Sequence, residues 1–144
     1  MQGKLRRMRE ERADGDRGFT LIELLVVVVI IGVLVAIAIP LYMNYRKGAE
    51  NKSAESDVRN AVPAIEQCYN DAGNLYPATA AASTTPVILT CGTGDTQTLN
   101  ISTGNTLTYT NLGTTPGTFK VGVKNTDTAV TYTYTSADGK ITKS

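Results

Sequence analysis

Histidine is absent from all 144 residues. Its absence removes imidazole general bases, histidine-dependent triads and most zinc sites, because these need a ring nitrogen that titrates near neutral pH. Cysteine is scarce, with only Cys68 and Cys91 present. Acidic residues are sparse in the C-terminal half: Asp95, Asp127 and Asp138 stand singly among turn formers. Turn formation explains each of them more simply than a calcium site. No basic block follows Pro40 and the formal net charge is +1, so nucleic acid is not indicated as a partner. No nucleophile–base pair, metal-ligand cluster or phosphate loop is visible either. An enzyme is therefore the least supported class, and no cofactor or metal is expected.

What the chain has is one long apolar run, Phe19–Ile39, broken by a single acid, Glu23, and followed by Pro40. About 21 residues at a rise of ~1.5 Å are enough to cross a hydrocarbon layer of roughly 30 Å. At this length the chain offers one membrane segment and one small domain. Residues Met1–Gly18 are polar, with Lys4, Arg6, Arg7, Arg9, Arg12 and Arg17 among them, and read as a targeting segment outside the fold. This cationic flank keeps the N-terminus cytoplasmic and sends the rest outward. Glu23 is an ionisable group in an apolar span, where such groups are costly and mark function. Pro40 lacks an N–H, so the helix is expected to kink or melt locally at Ala36–Ile39.

The residues Gly18-Phe19-Thr20-Leu21-Ile22-Glu23, the unbroken run to Ile39 and the proline after it resemble the class III signal of the type IV pilins and the related pseudopilins. The resemblance is close from Arg17 to Pro40, loose along the following helix and absent from the C-terminal half. It implies cleavage between Gly18 and Phe19 by a membrane prepilin peptidase on the cytoplasmic side, with N-methylation of Phe19. It makes Glu23 and Pro40 assembly residues, Glu23 facing the new amine of Phe19 in its own chain or a neighbour. An unpaired carboxylate in hydrocarbon must neutralise or find a cation, and cleavage creates one a helical turn away. The implied partners are further copies of the chain in a helical filament, the pilus assembly machinery, and the lipid bilayer before assembly. The implied location is the inner membrane as a single-pass precursor, then an extracellular pilus. A pseudopilin of a type II secretion or competence system is the alternative within the family. An ordinary secretory signal is the other reading, with Ala36-Ile37-Ala38 as its cleavage site, a soluble β-rich binding domain as its product and Ile39 as the mature N-terminus.

Beyond Pro40, Ala54, Val58, Ala61, Val62, Ile65, Cys68 and Tyr69 recur at helical spacing, with Glu50, Lys52, Glu55, Asp57, Arg59 and Glu66 on other faces. The helix is expected to run to about Asp71 and stop at Asp71-Ala72-Gly73-Asn74, with a second bend near Asn60–Val62 from Pro63. Tyr42, Tyr45 and Tyr69 on this helix are expected to pack at subunit contacts. Residues 77–86 read as a loop. Strands are expected at Val87–Thr90, Thr98–Ser102, Thr106–Thr110, Phe119–Lys124, Ala129–Thr135 and Lys140–Thr142. Asp138-Gly139 predicts a type I′ hairpin turn with φ > 0 at both residues.

This C-terminal half has few large apolar side chains, so its sheet needs the Ala54–Tyr69 stripe to bury one face while a Thr-rich face stays solvated. The expected fold is α+β: a long N-terminal helix with an antiparallel sheet packed on its second half. Residues 1–18 form the leader, 19–39 the membrane or filament-core helix, 40–71 the amphipathic continuation and 72–144 the exported domain. Cys68 and Cys91 fall in that exported part and form either a bridge from helix to sheet or two buried thiols. The Asn100-Ile101-Ser102 sequon reads as a chance match in a Thr-rich chain.

Overall fold

The computed structural model describes residues 18–92, 94–113 and 117–144, so the leader as far as Arg17 lies outside the described residues. The chain divides into two units, Met1–Tyr42 and Met43–Ser144. In the first, the described residues from Leu21 onward are helical and uniformly exposed. The second holds the core.

Helix α1, Leu21–Asp71, starts where Thr20 can cap it. The backbone N–H of Glu23 donates to Thr20 Oγ1 at 3.3 Å, which satisfies one of the orphan donors of the first turn. The stop is a Schellman motif: Asn74 N–H donates to Tyr69 O at 2.9 Å and Gly73 N–H to Asn70 O at 3.4 Å. Helical structure continues through both Pro40 and Pro63, so the local melting expected at Ala36–Ile39 does not occur. A proline removes one hydrogen bond, and around Pro63 the buried neighbours Ala61 and Ile65 hold the turn in place by packing.

The fold is α+β. The strands of the second unit are β1 (Ala80–Ser83), β2 (Val87–Cys91), β3 (Asp95–Leu99), β4 (Asn105–Asn111), β5 (Phe119–Asn125), β6 (Thr131–Thr135) and β7 (Lys140–Lys143). They form an antiparallel five-stranded sheet in the order β1-β4-β5-β6-β7 and a separate β2-β3 hairpin, where one sheet was expected. Alternation along β5 buries Phe119, Val121 and Val123, which meet Leu107, Tyr109 and Tyr132 of the neighbouring strands and Ala54, Val58, Ala61 and Ile65 of α1 in one core. Rings cluster at one end: Tyr69 lies 4.4 Å from Tyr76, and Tyr76 lies 4.9 Å from Phe119.

Four local expectations need correction. Residues 77–86 contain β1, an Ala-rich strand with no readable alternation that forms because β4 presents a free edge. Asn111 anchors it by donating from its amide to the carbonyls of Tyr76 and Pro77, both at 3.0 Å. Strand β3 ends at Leu99 rather than Ser102, because Ser102 leaves the ladder to bind α1. Strand β6 begins at Thr131 rather than Ala129, since Ala129 takes φ 57° in the preceding turn. The last hairpin is not a two-residue type I′ turn: Thr135 pairs with Lys140, four residues connect them, and only Gly139 has positive φ.

Candidate functional site

Every residue from Gly18 to Ala49 is exposed. In the apolar part this leaves the consecutive residues Leu24, Leu25, Val26 and Val27, which point to four different sides of the helix, each about half accessible. A helix apolar all round is stable only when lipid or protein covers it. Among the described residues, α1 supplies the one helix long and apolar enough to cross a membrane.

Glu23 sits in the first turn of that helix, where the unpaired N–H groups and the macrodipole favour a negative charge. Thr20-Leu21-Ile22-Glu23 has the spacing of a capping box, and the Thr20 half of that box is formed. Gly18 and Phe19 precede the helix in non-helical backbone and are exposed, so the bond between them lies outside the helical hydrogen-bond ladder. Pro40 is exposed within the helix.

Cys68 and Cys91 are joined in a disulfide, with Cα atoms 4.9 Å apart. The bridge fastens β2 of the small hairpin to α1, not the five-stranded sheet. Gly92, at φ 61°, makes the approach possible. A Cβ there would lie 3.1 Å from Ala72 Cα and 3.2 Å from Asp71 O, both backbone atoms that cannot yield cheaply.

Asp57, expected on a solvent face, is instead buried. Its carboxylate accepts from Ser102 N–H and Ser102 Oγ at 2.8 Å each, and from Asn105 Nδ2 at 2.7 Å. Asn125 Nδ2 in turn donates to Asn105 Oδ1 at 2.9 Å, and Asn125 Oδ1 accepts the backbone N–H groups of Asp127 and Thr128 at 3.0 Å. This relay ties α1 to the β3–β4 connection and to the β5–β6 turn. An acid two residues from charged neighbours on a helix reads as surface, so periodicity missed it. The local signal was Asp57 one residue before Val58, at the edge of the apolar stripe.

Tyr69 spends its ring within the chain, against Tyr76, whereas Tyr42 and Tyr45 are exposed. Asp127 pairs with Arg46 at 3.1 Å, Asp95 opens β3, and Asp138 accepts the backbone N–H of Lys140 at 3.3 Å. Among the described residues no group of three or more acids, cysteines or histidines is placed to hold a metal.

Residues 14–39 match the family described as a prokaryotic N-terminal methylation motif. The chain is 38% identical over 97 residues to the type IV major fimbrial protein FimA of Dichelobacter nodosus, covering 65% of this chain and 62% of that protein. It is 40% identical over 68 residues to the fimbrial protein EcpC of Eikenella corrodens, covering 47% of this chain and 44% of that protein. It is likewise 40% identical over 64 residues to the type II secretion system core protein G of Pectobacterium carotovorum subsp. carotovorum, covering 44% and 40%. The chain thus spans less than two thirds of the length of these relatives. No solved structure matches it.

Proposed function

We propose that this chain, whose N-terminal segment is that of the type IV pilin and pseudopilin family, is the structural subunit of a surface filament and polymerises through α1. The observation that carries the reading is the uncovered apolar stretch of α1 from Leu21 to Ile39, in a chain whose second unit closes a core of its own. Lipid covers that stretch in the precursor, which crosses the inner membrane with its N-terminus in the cytoplasm. Other copies of the same helix cover it in the filament.

Prepilin peptidase cuts between Gly18 and Phe19, and Phe19 is then N-methylated. The new amine is a cation one turn from Glu23, and the two neutralise each other as copies dock in a water-poor filament core. Glu23 already lies at the favourable end of the helix dipole, which supports this pairing. Pro40 acts where the apolar segment ends. Assembly machinery in the membrane adds subunits.

The test is the mature N-terminus and the location of the product. Mass analysis is expected to find a methylated Phe19, and shearing of cells is expected to release filaments of this chain. A mature chain beginning at Ile39 would overturn the reading in favour of a secreted soluble domain. A pseudopilin is the second reading, favoured by the likeness to a secretion core protein G. Abundant sheared filaments separate the pilin from it, because that reading places the chain in a secretion or competence apparatus.

A further inference from the structure

The charges of the C-terminal half are sorted. After residue 72 the lysines are Lys120, Lys124, Lys140 and Lys143, and the acids are Asp95, Asp127 and Asp138. Strand register places three of these lysines on the face of the five-stranded sheet opposite the core. Three rows cross the strands there. The first is Thr110, Lys120, Thr135 and Lys140; the second is Thr108, Gly122, Thr133 and Thr142; the third is Thr106, Lys124 and Thr131. None of the three acids is on this face: Asp95 is in the other sheet, Asp127 is paired with Arg46, and Asp138 caps the hairpin tip.

The middle row is uncharged and holds the one residue without a side chain. Gly122 therefore floors a shallow trough of about 450 Å³ whose rim includes Thr108, Thr133, Lys120 and Lys124. A Cβ at Gly122 would meet Thr133 Oγ1 at 3.5 Å, so that hydroxyl stands at the trough's wall. Lys120 and Lys124 are about 13 Å apart along β5, and the trough crosses the sheet between their rows. Lys120, Lys124 and Lys140 are exposed.

We propose that this outer sheet face binds an acidic polysaccharide, a chain of sugars carrying carboxylate or sulfate groups, laid across the strands along the row from Thr108 through Gly122 and Thr133 to Thr142. Threonine hydroxyls donate to and accept from sugar hydroxyls, and lysines on both flanks meet the anionic groups. The floor at Gly122 lets the polymer approach the sheet. Other partners fit less well. Single-stranded nucleic acid is held by stacking its bases on aromatic rings, and the domain's Tyr109, Phe119 and Tyr132 are turned into the core. A duplex needs many phosphate contacts, and this face offers three cations. A neutral glycan would leave those cations without partners. The surface belongs to the compact domain, so the proposal stands or falls independently of polymerisation; a filament repeats the face and multiplies its avidity.

The test uses the full-length chain in neutral detergent micelles, with fluorescent polygalacturonate as probe, dextran as the uncharged comparison and oligothymidylate as the nucleic-acid one. Saturable, salt-sensitive binding of polygalacturonate is expected, with none to dextran. The double variant Lys120→Gln/Lys124→Gln is expected to weaken it about tenfold. Thr108→Val/Thr133→Val, which keeps the β-branched shape, is expected to weaken it severalfold with the salt dependence unchanged. Lys143→Gln, outside the three rows, is expected to bind like the parent. An intact Cys68–Cys91 bridge and an unchanged circular dichroism spectrum certify the fold of each variant. Absence of saturable binding, equal binding of dextran, tighter binding of oligothymidylate, or loss equal to the lysine pair's in Lys143→Gln would each overturn the proposal.

Discussion

Ser102 gives Asp57 two hydrogen bonds, one from its backbone N–H and one from its hydroxyl, both 2.8 Å long and both crossing 45 residues of sequence. This pair, extended through Asn105 and Asn125, is where the irregular segment before β4 is locked to the helix. Removing the carboxylate strands buried donors, each costing about 1–3 kcal/mol. Asp57→Ala is expected to lower the stability of the domain by ~3 kcal/mol, and Asp57→Asn by less, since an amide oxygen still accepts. Urea unfolding of both variants, with Ser102→Ala in a double-mutant cycle, measures the coupling; additive effects would show that the network is not shared.

The disulfide encloses a segment of 23 residues in sequence separation. In the chain-entropy account a loop of this size stabilises by about 3 kcal/mol. Cys68→Ser/Cys91→Ser is expected to unfold at a correspondingly lower urea midpoint. The β2–β3 hairpin, which the bridge fastens, is expected to lose amide-exchange protection before the five-stranded sheet. Uniform loss across both sheets would contradict the assignment of the bridge to that hairpin.

Gly139 has φ 64° with nothing within 4 Å of where a Cβ would stand. Gly139→Val is therefore disfavoured by backbone conformation alone, by about 1–2 kcal/mol. Asp138 is absent from the positive-φ residues, so Asp138→Ala is expected to cost only its weak bond to the Lys140 N–H. Equal thermal shifts for the two variants would restore the two-residue turn.

Burial, reinforced by the Glu66 carboxylate, pushes the Tyr76 hydroxyl up to about 12. Burial also raises the Tyr109 hydroxyl above its ordinary value, and this hydroxyl donates to Pro77 O at 3.1 Å. A folded-state value raised above the unfolded one means that the neutral form is favoured by folding. The associated stability is complete below pH ~10 and is lost as pH rises from there through about 12. Stability is expected to fall in this alkaline window, and Tyr76→Phe is expected to flatten the fall. A Tyr76→Phe profile identical to the parent's would remove Tyr76 from the cause.

Glu23 makes no part of the domain core, so Glu23→Ala is expected to fold its C-terminal unit and form its disulfide normally. If the carboxylate meets the Phe19 amine between docked helices, deleting it leaves a buried lone charge costing about 3–5 kcal/mol per subunit. The low end lowers each docking equilibrium roughly a hundredfold. Cleaved, disulfide-bonded subunits without filaments are expected in cell fractions; abundant normal filaments would mean the acid is tolerated rather than used.

The apolar run, Glu23, the end of α1 at Asp71 and the alternation of Phe119, Val121 and Val123 were all legible in the sequence. Each is a short-range pattern: a period of 3.6 or 2, a breaker, or a charge among hydrocarbons, and local energetics enforce it wherever the chain goes. The cysteine pair was legible as a possibility, because a chain with two thiols allows a single intramolecular bridge. Tertiary structure decided what depends on partners far along the chain. Ala80–Ser83 became a strand because β4 had an unpaired edge, and β2-β3 became its own hairpin because Cys91 was drawn to Cys68. Asp57 turned inward because Ser102, Asn105 and Asn125 arrived to satisfy it. A buried carboxylate is stable only when its hydrogen-bond donors are assembled around it, and no local window of sequence contains them.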